Sequence, residues 1–361
     1  MRNRYRAATV RERFRSEPPK PLLTHSAARS KLVLPRMSNL PILAVAGPTG
    51  AGKSTLALAL AERFHGEIIN FDSVQVYTGF NIGSAKLPAS AQCGIPHHLL
   101  DLCAPTDLFT AGDFVAEVLA ILPEIAARRR LPILCGGTGF YLRALLHGLT
   151  PGPQRDDTLR ARLLARESRH PGAIRRLLTR LDPAAAQRIH PNDANKSIRA
   201  LELRLLARRP AGDHFQAAGL APLTGYDPLI LALDPPREAL YSHLNHRCEA
   251  MWRGGLLDEV RALLAAGLPP SAKPFESLGY KQALRHLLTD DFPDTQAIEE
   301  MRVRTRQYAK RQWTWFRAEK GVDWISGFGH DIAAQHDAFE IVSRFLKKTC
   351  AIPEHFPGSF V

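Results

Sequence analysis

Gly47-Pro48-Thr49-Gly50-Ala51-Gly52-Lys53-Ser54 lies between an apolar run, Ile42 to Ala46, and an Ala/Leu-rich stretch, Lys53 to Phe64. The run reads as a buried strand and the stretch as a helix. The octapeptide therefore matches G-x-x-x-x-G-K-[ST] in the strand-turn-helix setting that a phosphate-binding loop requires. Gly50 and Gly52 let the backbone turn its N–H groups inward, Lys53 adds a positive charge, the helix start adds its dipole, and the Ser54 hydroxyl suits Mg²⁺. Gly47 to Ser54 is thus a candidate diphosphate- or nucleotide-binding loop. The loop alone does not say which, because a diphosphate leaving group and the tail of ATP offer the same oxygens to backbone N–H groups.

Outward from this loop the β-α alternation continues. Glu67 to Phe71 reads as a second strand ending at Asp72. Further strand signals fall near His98 to Leu102 and at Pro132 to Cys135, and helical ones at Ala111 to Arg129 and Phe140 to His147. Such alternation implies a parallel sheet covered by helices on both faces. From Thr150 to Tyr226 only helical periodicity remains, and between Arg160 and Arg209 that segment carries 13 Lys or Arg against 4 Asp or Glu. Leu229 to Asp234 resumes the strands, Pro235 and Pro236 mark the start of a helix, and three or four helices follow, the last near Ala297 to Arg317. Val322 to Ile325 reads as a final strand, and residues after Phe345 as a tail. The expected fold is α/β: a P-loop parallel-sheet core, residues 39–150 and 227–330, with an all-helical basic insertion, 151–226, and a C-terminal helix and tail, 331–361.

The 361 residues carry 48 Lys or Arg against 35 Asp or Glu, a net charge of +13, which points to a polyanionic partner. Cys93, Cys103, Cys135, Cys248 and Cys350 are odd in number and show no CxxC spacing, as expected of a protein of the reducing cytoplasm. No apolar run approaches the roughly 20 residues that span a bilayer, so no membrane partner is expected. Residues 1–38 are Arg-rich and Pro-interrupted, and are expected to be a disordered leader or an upstream extension before a start at Met37.

Beyond the P-loop, several blocks recur in order: Asp72-Ser73-Val74-Gln75-Val76-Tyr77, Asn81 to Lys86, Gly136 to Leu145, Arg188 to Asp193, Arg199 to Glu202, Gly279-Tyr280-Lys281 and Thr305 to Gln312. Together they resemble the tRNA dimethylallyltransferases, also called isopentenyl-tRNA transferases, from about Leu40 to Trp324. The resemblance implies a P-loop kinase-like core and transfer of dimethylallyl from dimethylallyl diphosphate to N6 of the adenosine 3′ of the anticodon, position 37. It also implies that the helical insertion grips the anticodon stem-loop of tRNA and that the enzyme is of bacterial type; a monomer is expected. Leu87, where proline commonly follows Ala-Lys, and Lys196, where the insertion often has Arg, are small departures.

An adenine amine is a weak nucleophile, so a base that takes its proton helps the C–N bond form. Asp72, at a strand's carboxyl end beside the P-loop, is the candidate; a carboxylate holding water around Mg²⁺ is the other reading of it. Charge gathers on the departing diphosphate oxygen, and Thr49, Lys53 and Mg²⁺ at Ser54 would answer it. The resemblance adds Arg247, which by residue type alone could be a surface arginine. The resemblance also turns Asp72, Ser73, Val74, Gln75, Thr138, Arg160, Asn195, Lys196, Ser197, Ile198 and Arg199 toward tRNA, with Glu276, Ser277, Leu278, Gly279, Tyr280 and Lys281. Thr138 also reads as a helix N-cap, and Arg160 as an ordinary solvated charge. Arg302 to Arg317, with Tyr308, Trp313, Trp315 and Phe316, reads as an amphipathic helix with its aromatics on the core, or as a base-stacking platform. Two rivals share the P-loop: a small-molecule or nucleotide kinase, and a non-catalytic P-loop RNA-binding protein. A basic helical insertion is hard to explain in a metabolite kinase.

Overall fold

The computed structural model describes residues 39–149, 152–153, 155–206 and 221–349. The leader expected at 1–38, the residues beyond Thr349 and part of the insertion's C-terminal end lie outside the described residues. Six strands form one sheet: β1 (Leu40–Ala46), β2 (Gly66–Asn70), β3 (His97–His98), β4 (Leu131–Cys135), β5 (Tyr226–Asp234) and β6 (Val322–Ser326). Their order is β3-β2-β4-β1-β5-β6, and every pairing is parallel. The expected α/β architecture is the observed one.

Strands β2 and β4 are buried at every residue, and β1 at every residue after Leu40, as both faces of the sheet are covered. One face packs on α2 (Ala111–Ala127) and α3 (Gly139–His147) through Phe114, Val118, Leu122 and Leu145. The other packs on α1 (Lys53–Phe64) and α12 (Ile332–Thr349) through Leu56, Leu60, Ala338 and Val342. Between Arg128 on one side and His98 on the other, the 2%-exposed Glu67 is paired at 2.8 Å to each.

Four helices, α4 (Asp157–Arg169), α5 (Ala173–Leu181), α6 (Pro183–Arg188) and α7 (Ala194–Leu206), build a separate apolar cluster from Leu163, Ile174, Leu178, Ile198 and Leu201. After β5 come α8 (Arg237–Met251), a π-turn at Trp252–Leu256, α9 (Leu257–Ala265), α10 (Tyr280–Leu288) and α11 (Asp294–Arg317). They enclose Phe80, Trp252, Phe275, Tyr280 and Phe292 in a further cluster beside the sheet's carboxyl edge.

Two expectations are corrected. The strand expected over His98 to Leu102 is only His97–His98, because Leu99 and Asp101 take positive φ (62° and 51°) and turn the chain out of the ladder. The stretch read as a tail after Phe345 remains helical to Thr349, and Leu346 is buried against the sheet.

Leu346→Ala should therefore cost about 2–3 kcal/mol, whereas the neighbouring Lys347→Ala should stay within about 0.5 kcal/mol. Urea unfolding of the two variants measures the contrast, and equal midpoints would show that the last turns of α12 hold nothing.

Candidate active site

All six strands run the same way, so the turns after β1, β2, β4 and β5 reach one edge of the sheet. After β1 the P-loop takes positive φ at Gly47, Gly50 and Gly52 (129°, 78° and 84°), a conformation open to glycine at no steric cost. The N–H groups of Gly50, Gly52, Lys53 and Ser54 have no hydrogen-bond partner among the described residues. Thr49 differs: its N–H donates to Gln312 Oε1 at 2.7 Å. The Lys53 ammonium donates to the Pro48 carbonyl at 2.9 Å. Burial pushes it down from 10.5 to about 8, with Arg247 adding to the shift and Cys135 and Asp72 opposing it. Burial also pushes the Cys135 thiol beneath the loop up to about 11.

After β2 the chain folds into a turn around Asp72. Its Oδ1 accepts from the N–H of Val74 (2.8 Å) and of Gln75 (3.3 Å), and its own N–H donates to Asn70 Oδ1 (3.0 Å). Asn70 is anchored in turn by donating to the Leu99 carbonyl at 3.0 Å. After β4, Gly136 lies so close to Phe71 that a Cβ would meet its backbone carbonyl carbon at 2.6 Å. Thr138 Oγ1 accepts from Ser73 N–H at 3.1 Å, and its side chain makes no capping bond to α3. Thr138 therefore ties the Asp72 turn to the β4 turn and does not serve as a side-chain N-cap. Gln75 is likewise engaged, donating to the Ser84 carbonyl at 3.0 Å.

These turns and three later segments enclose a cavity of about 350 Å³. Thr49, Asp72, Ser73 and Val74 line it from the sheet, Arg247 from α8, and Glu276, Ser277 and Leu278 from the turn before α10. Leu244, Cys248, Met251 and Met301 give it an apolar wall. Thr305, Tyr308 and Arg311 complete it from α11. Arg247 has no ion-pair or hydrogen-bond partner among the described residues, and burial pulls its guanidinium below its usual range. Burial, reinforced by the nearby Asp72 carboxylate, raises the Tyr308 phenol.

Not every residue expected to face RNA is exposed. Gly279 and Tyr280 are buried, and the Tyr280 hydroxyl donates to Glu259 while accepting from Gly83 N–H at 3.0 Å. It supports the 81–84 loop from behind. Ser197 and Ile198 are 1% and 2% exposed, because α7 turns them into the arm's own core, while Asn195 and Lys196 are exposed. Lys196 is paired with Asp193 at 2.9 Å, and Lys281 is exposed. Arg160 is no ordinary solvated charge: it donates twice to the fully buried Glu202, at 2.7 and 2.9 Å. Arg199 joins the same carboxylate at 3.3 Å. Burial pushes Glu202 up, but these partners and the Asp156 N–H outweigh it and hold the carboxyl below its usual range.

Sequence reasoning gave no role to Asn70, Thr305, Arg311 or Gln312, and read Tyr308 as a core or base-stacking aromatic, whereas it lines the cleft. For the α11 residues the signal was present, since Met301, Thr305, Tyr308 and Gln312 fall at i, i+4, i+7 and i+11, one face of a helix. In the same helix Trp313 and Phe316 are buried on the core, as the amphipathic reading expects.

A sequence model of the family described as IPP transferase matches residues 75–319. The chain belongs to the IPP transferase family. It is 52% identical over 307 residues to the tRNA dimethylallyltransferase of Solibacter usitatus (strain Ellin6076), covering 85% of this chain and 99% of that protein. A tRNA dimethylallyltransferase of Koribacter versatilis (strain Ellin345) is 47% identical over the same shares of both chains. Among solved structures, the tRNA isopentenylpyrophosphate transferase of Bacillus halodurans matches with TM-score 0.64 and 33% identity over 86% of this chain and 98% of its own. A eukaryotic dimethylallyltransferase acting on tRNA matches with TM-score 0.71 and 29% identity over 86% of this chain and 80% of its own.

Two outcomes follow for these IPP transferase side chains. Arg160→Ala strands part of a buried carboxylate and should destabilise the protein by about 2–4 kcal/mol, while Lys196→Ala, at an exposed pair, should cost under about 1 kcal/mol; equal unfolding midpoints would refute the contrast. Lys53 loses its proton above about pH 8 in the free protein, and a bound anion favours the charged form. Affinity for inorganic diphosphate should therefore fall as pH rises through 8, by up to about tenfold per unit. Calorimetry on wild type and Lys53→Met at pH 7 and pH 9 isolates this, since the probe's own titration is common to both. A wild-type to variant ratio that does not change between the two pH values would sink the assignment.

Proposed function

We propose that this chain transfers a dimethylallyl group from dimethylallyl diphosphate to N6 of the adenosine at position 37 of tRNA, beside the anticodon. The observation that carries the reading is that Thr49, Asp72 and Arg247 line one cleft, with Arg247 unpaired and an apolar wall alongside. Diphosphate oxygens suit the free N–H groups of the P-loop, Lys53 and Arg247, and the hydrocarbon suits Leu244, Met251 and Met301. The family and its relatives' names agree with this chemistry and not with phosphoryl transfer.

In the proposed reaction the N6 lone pair attacks the allylic carbon, the carbon–oxygen bond breaks, and its electron pair leaves on diphosphate. Asp72 accepts the N6 proton through the oxygen lone pairs that its turn leaves free. Thr49, Lys53 and Arg247 oppose the charge on the leaving oxygen, fixed in place before it develops. For Mg²⁺ the donor set fits. Among the described residues no three His, Cys, Asp or Glu gather as a metal cage, but Mg²⁺ keeps several waters and takes its other oxygens from substrate phosphates. The Ser54 hydroxyl, which hydrogen-bonds Cys135, keeps a lone pair for the ion and, with Asp72 acting through water, can complete such a shell. When bound, the ion neutralises charge on the diphosphate.

RNA is expected to reach the cleft past Ser73, Val74 and the 276–278 turn, with the basic arm of α4–α7 on the anticodon stem-loop and a stack-extruded adenine between. No described helix is long and apolar enough to cross a membrane. A monomer acting in the cytoplasm completes the reading.

The test is incubation with tRNA and labelled dimethylallyl diphosphate, then with ATP. Label should enter RNA, and Asp72→Ala and Thr49→Ala should each lose on the order of 10²-fold in rate with tRNA affinity retained. ATP hydrolysis without labelled RNA, or loss of tRNA affinity matching the loss of rate, would overturn the proposal.

A further inference from the structure

Gln312 reaches the site from α11 and is 5% exposed. Its Oε1 accepts from Thr49 N–H at 2.7 Å, and its Nε2 donates to the Gly137 carbonyl at 2.9 Å. The two partners lie 263 and 175 residues away in sequence, in the turns after β1 and β4. The fit is close: a Cβ at Gly137 would stand 2.2 Å from Gln312 Nε2 and 3.6 Å from Lys53 Nζ. Thr49 N–H can only donate and Gly137 C=O can only accept, so the amide has one workable orientation.

We infer that Gln312 is a positioning residue that sets the leaving-group cradle against the catalytic carboxylate. On one side it turns the Thr49 peptide away from the anion, which leaves the Thr49 side chain lining the cleft. On the other it fixes the Gly137 carbonyl next to Thr138, whose Oγ1 holds Ser73 N–H and with it the Asp72 turn. The two halves of the reaction, release of diphosphate and removal of a proton, are thus referred to one amide. Glutamate here would present oxygen to the Gly137 carbonyl and a negative charge beside Lys53. Methionine has the length but neither polar group. The inference deepens the transferase reading and rests on it.

The test uses the full-length protein as wild type, Gln312→Met, Gln312→Glu, Thr49→Ala and the double variant Thr49→Ala/Gln312→Met. Measured are single-turnover transfer of labelled dimethylallyl to tRNA, KM for tRNA, Kd for inorganic diphosphate and the thermal midpoint. In Gln312→Met the transfer rate should fall about 30- to 100-fold, as displacement of reacting groups by an ångström does, with KM for tRNA unchanged within about twofold. Added to Thr49→Ala, it should cost less than it does alone, because its hold on the Thr49 peptide acts through the side chain already removed, while its hold on the Asp72 turn remains. Losses that multiply in the double variant, a parallel rise in KM, or full rate in a folded Gln312→Met would each overturn it. If Gln312→Met does not fold, Gln312→Glu decides: diphosphate affinity at least about tenfold weaker is expected from the charge beside Lys53, and wild-type affinity refutes the role. Should wild type itself alkylate no RNA, the transferase reading fails separately, and the diphosphate affinities still judge Gln312.

Discussion

Lys53 and Arg247 are two cations for which the chain supplies no carboxylate at ion-pairing distance among the described residues, though burial lowers the pKa of both. Taking a charge from water without a partner is costly, and a fold retains such an arrangement where an anion compensates it. The rest of the site follows from this constraint. The P-loop glycines turn free N–H groups to the same place, the parallel strands bring Asp72 to the neighbouring turn, and α8 and α11 set an apolar wall beside the charges.

Elsewhere the same chain treats buried charge differently. Glu67 is held by Arg128 and His98, Glu202 by Arg160 and Arg199, and Glu319 by Arg143 and His147. In each case a nearly buried carboxylate collects an arginine and a second side chain, arginine or histidine, so several of this protein's arginines are structural. The arm shows how far this goes. Its sequence is strongly basic, yet Arg160 and Arg199 are spent on one carboxylate, and the charge left to meet a polyanion is smaller than composition suggests.

This difference explains what the sequence could and could not disclose. The P-loop, α1 over Lys53–Phe64 and the parallel order of strands were legible because they follow from local pattern: an apolar run, glycines at set offsets and helical periodicity. That Asp72 and Thr49 would lie at the cleft was legible from their places in that pattern. The roles of Arg160, Ser197 and Tyr280 were not, because each depends on a partner far along the chain. Arg160 meets Glu202 across 42 residues, and Tyr280 reaches Gly83 across 197. A motif names which residues recur together, while burial decides which of them face a ligand and which hold those that do. Leu99 and Asp101 illustrate the same limit on a smaller scale, as an apolar run gives no warning of positive φ.

The site is consequently a product of the whole core and not of its P-loop half. Strand β1 and its loop come early in the chain, but Arg247, the 276–278 turn and the face of α11 that bears Thr305, Tyr308 and Gln312 come after the arm. Until α11 docks, Thr49 N–H lacks its acceptor, the Gly137 carbonyl its donor, and the cleft one of its walls. A P-loop could exist without α11; the cleft that Thr49, Asp72 and Arg247 share could not. The late helix therefore gives the early motif its chemistry, and the same P-loop in another setting can serve a different reaction.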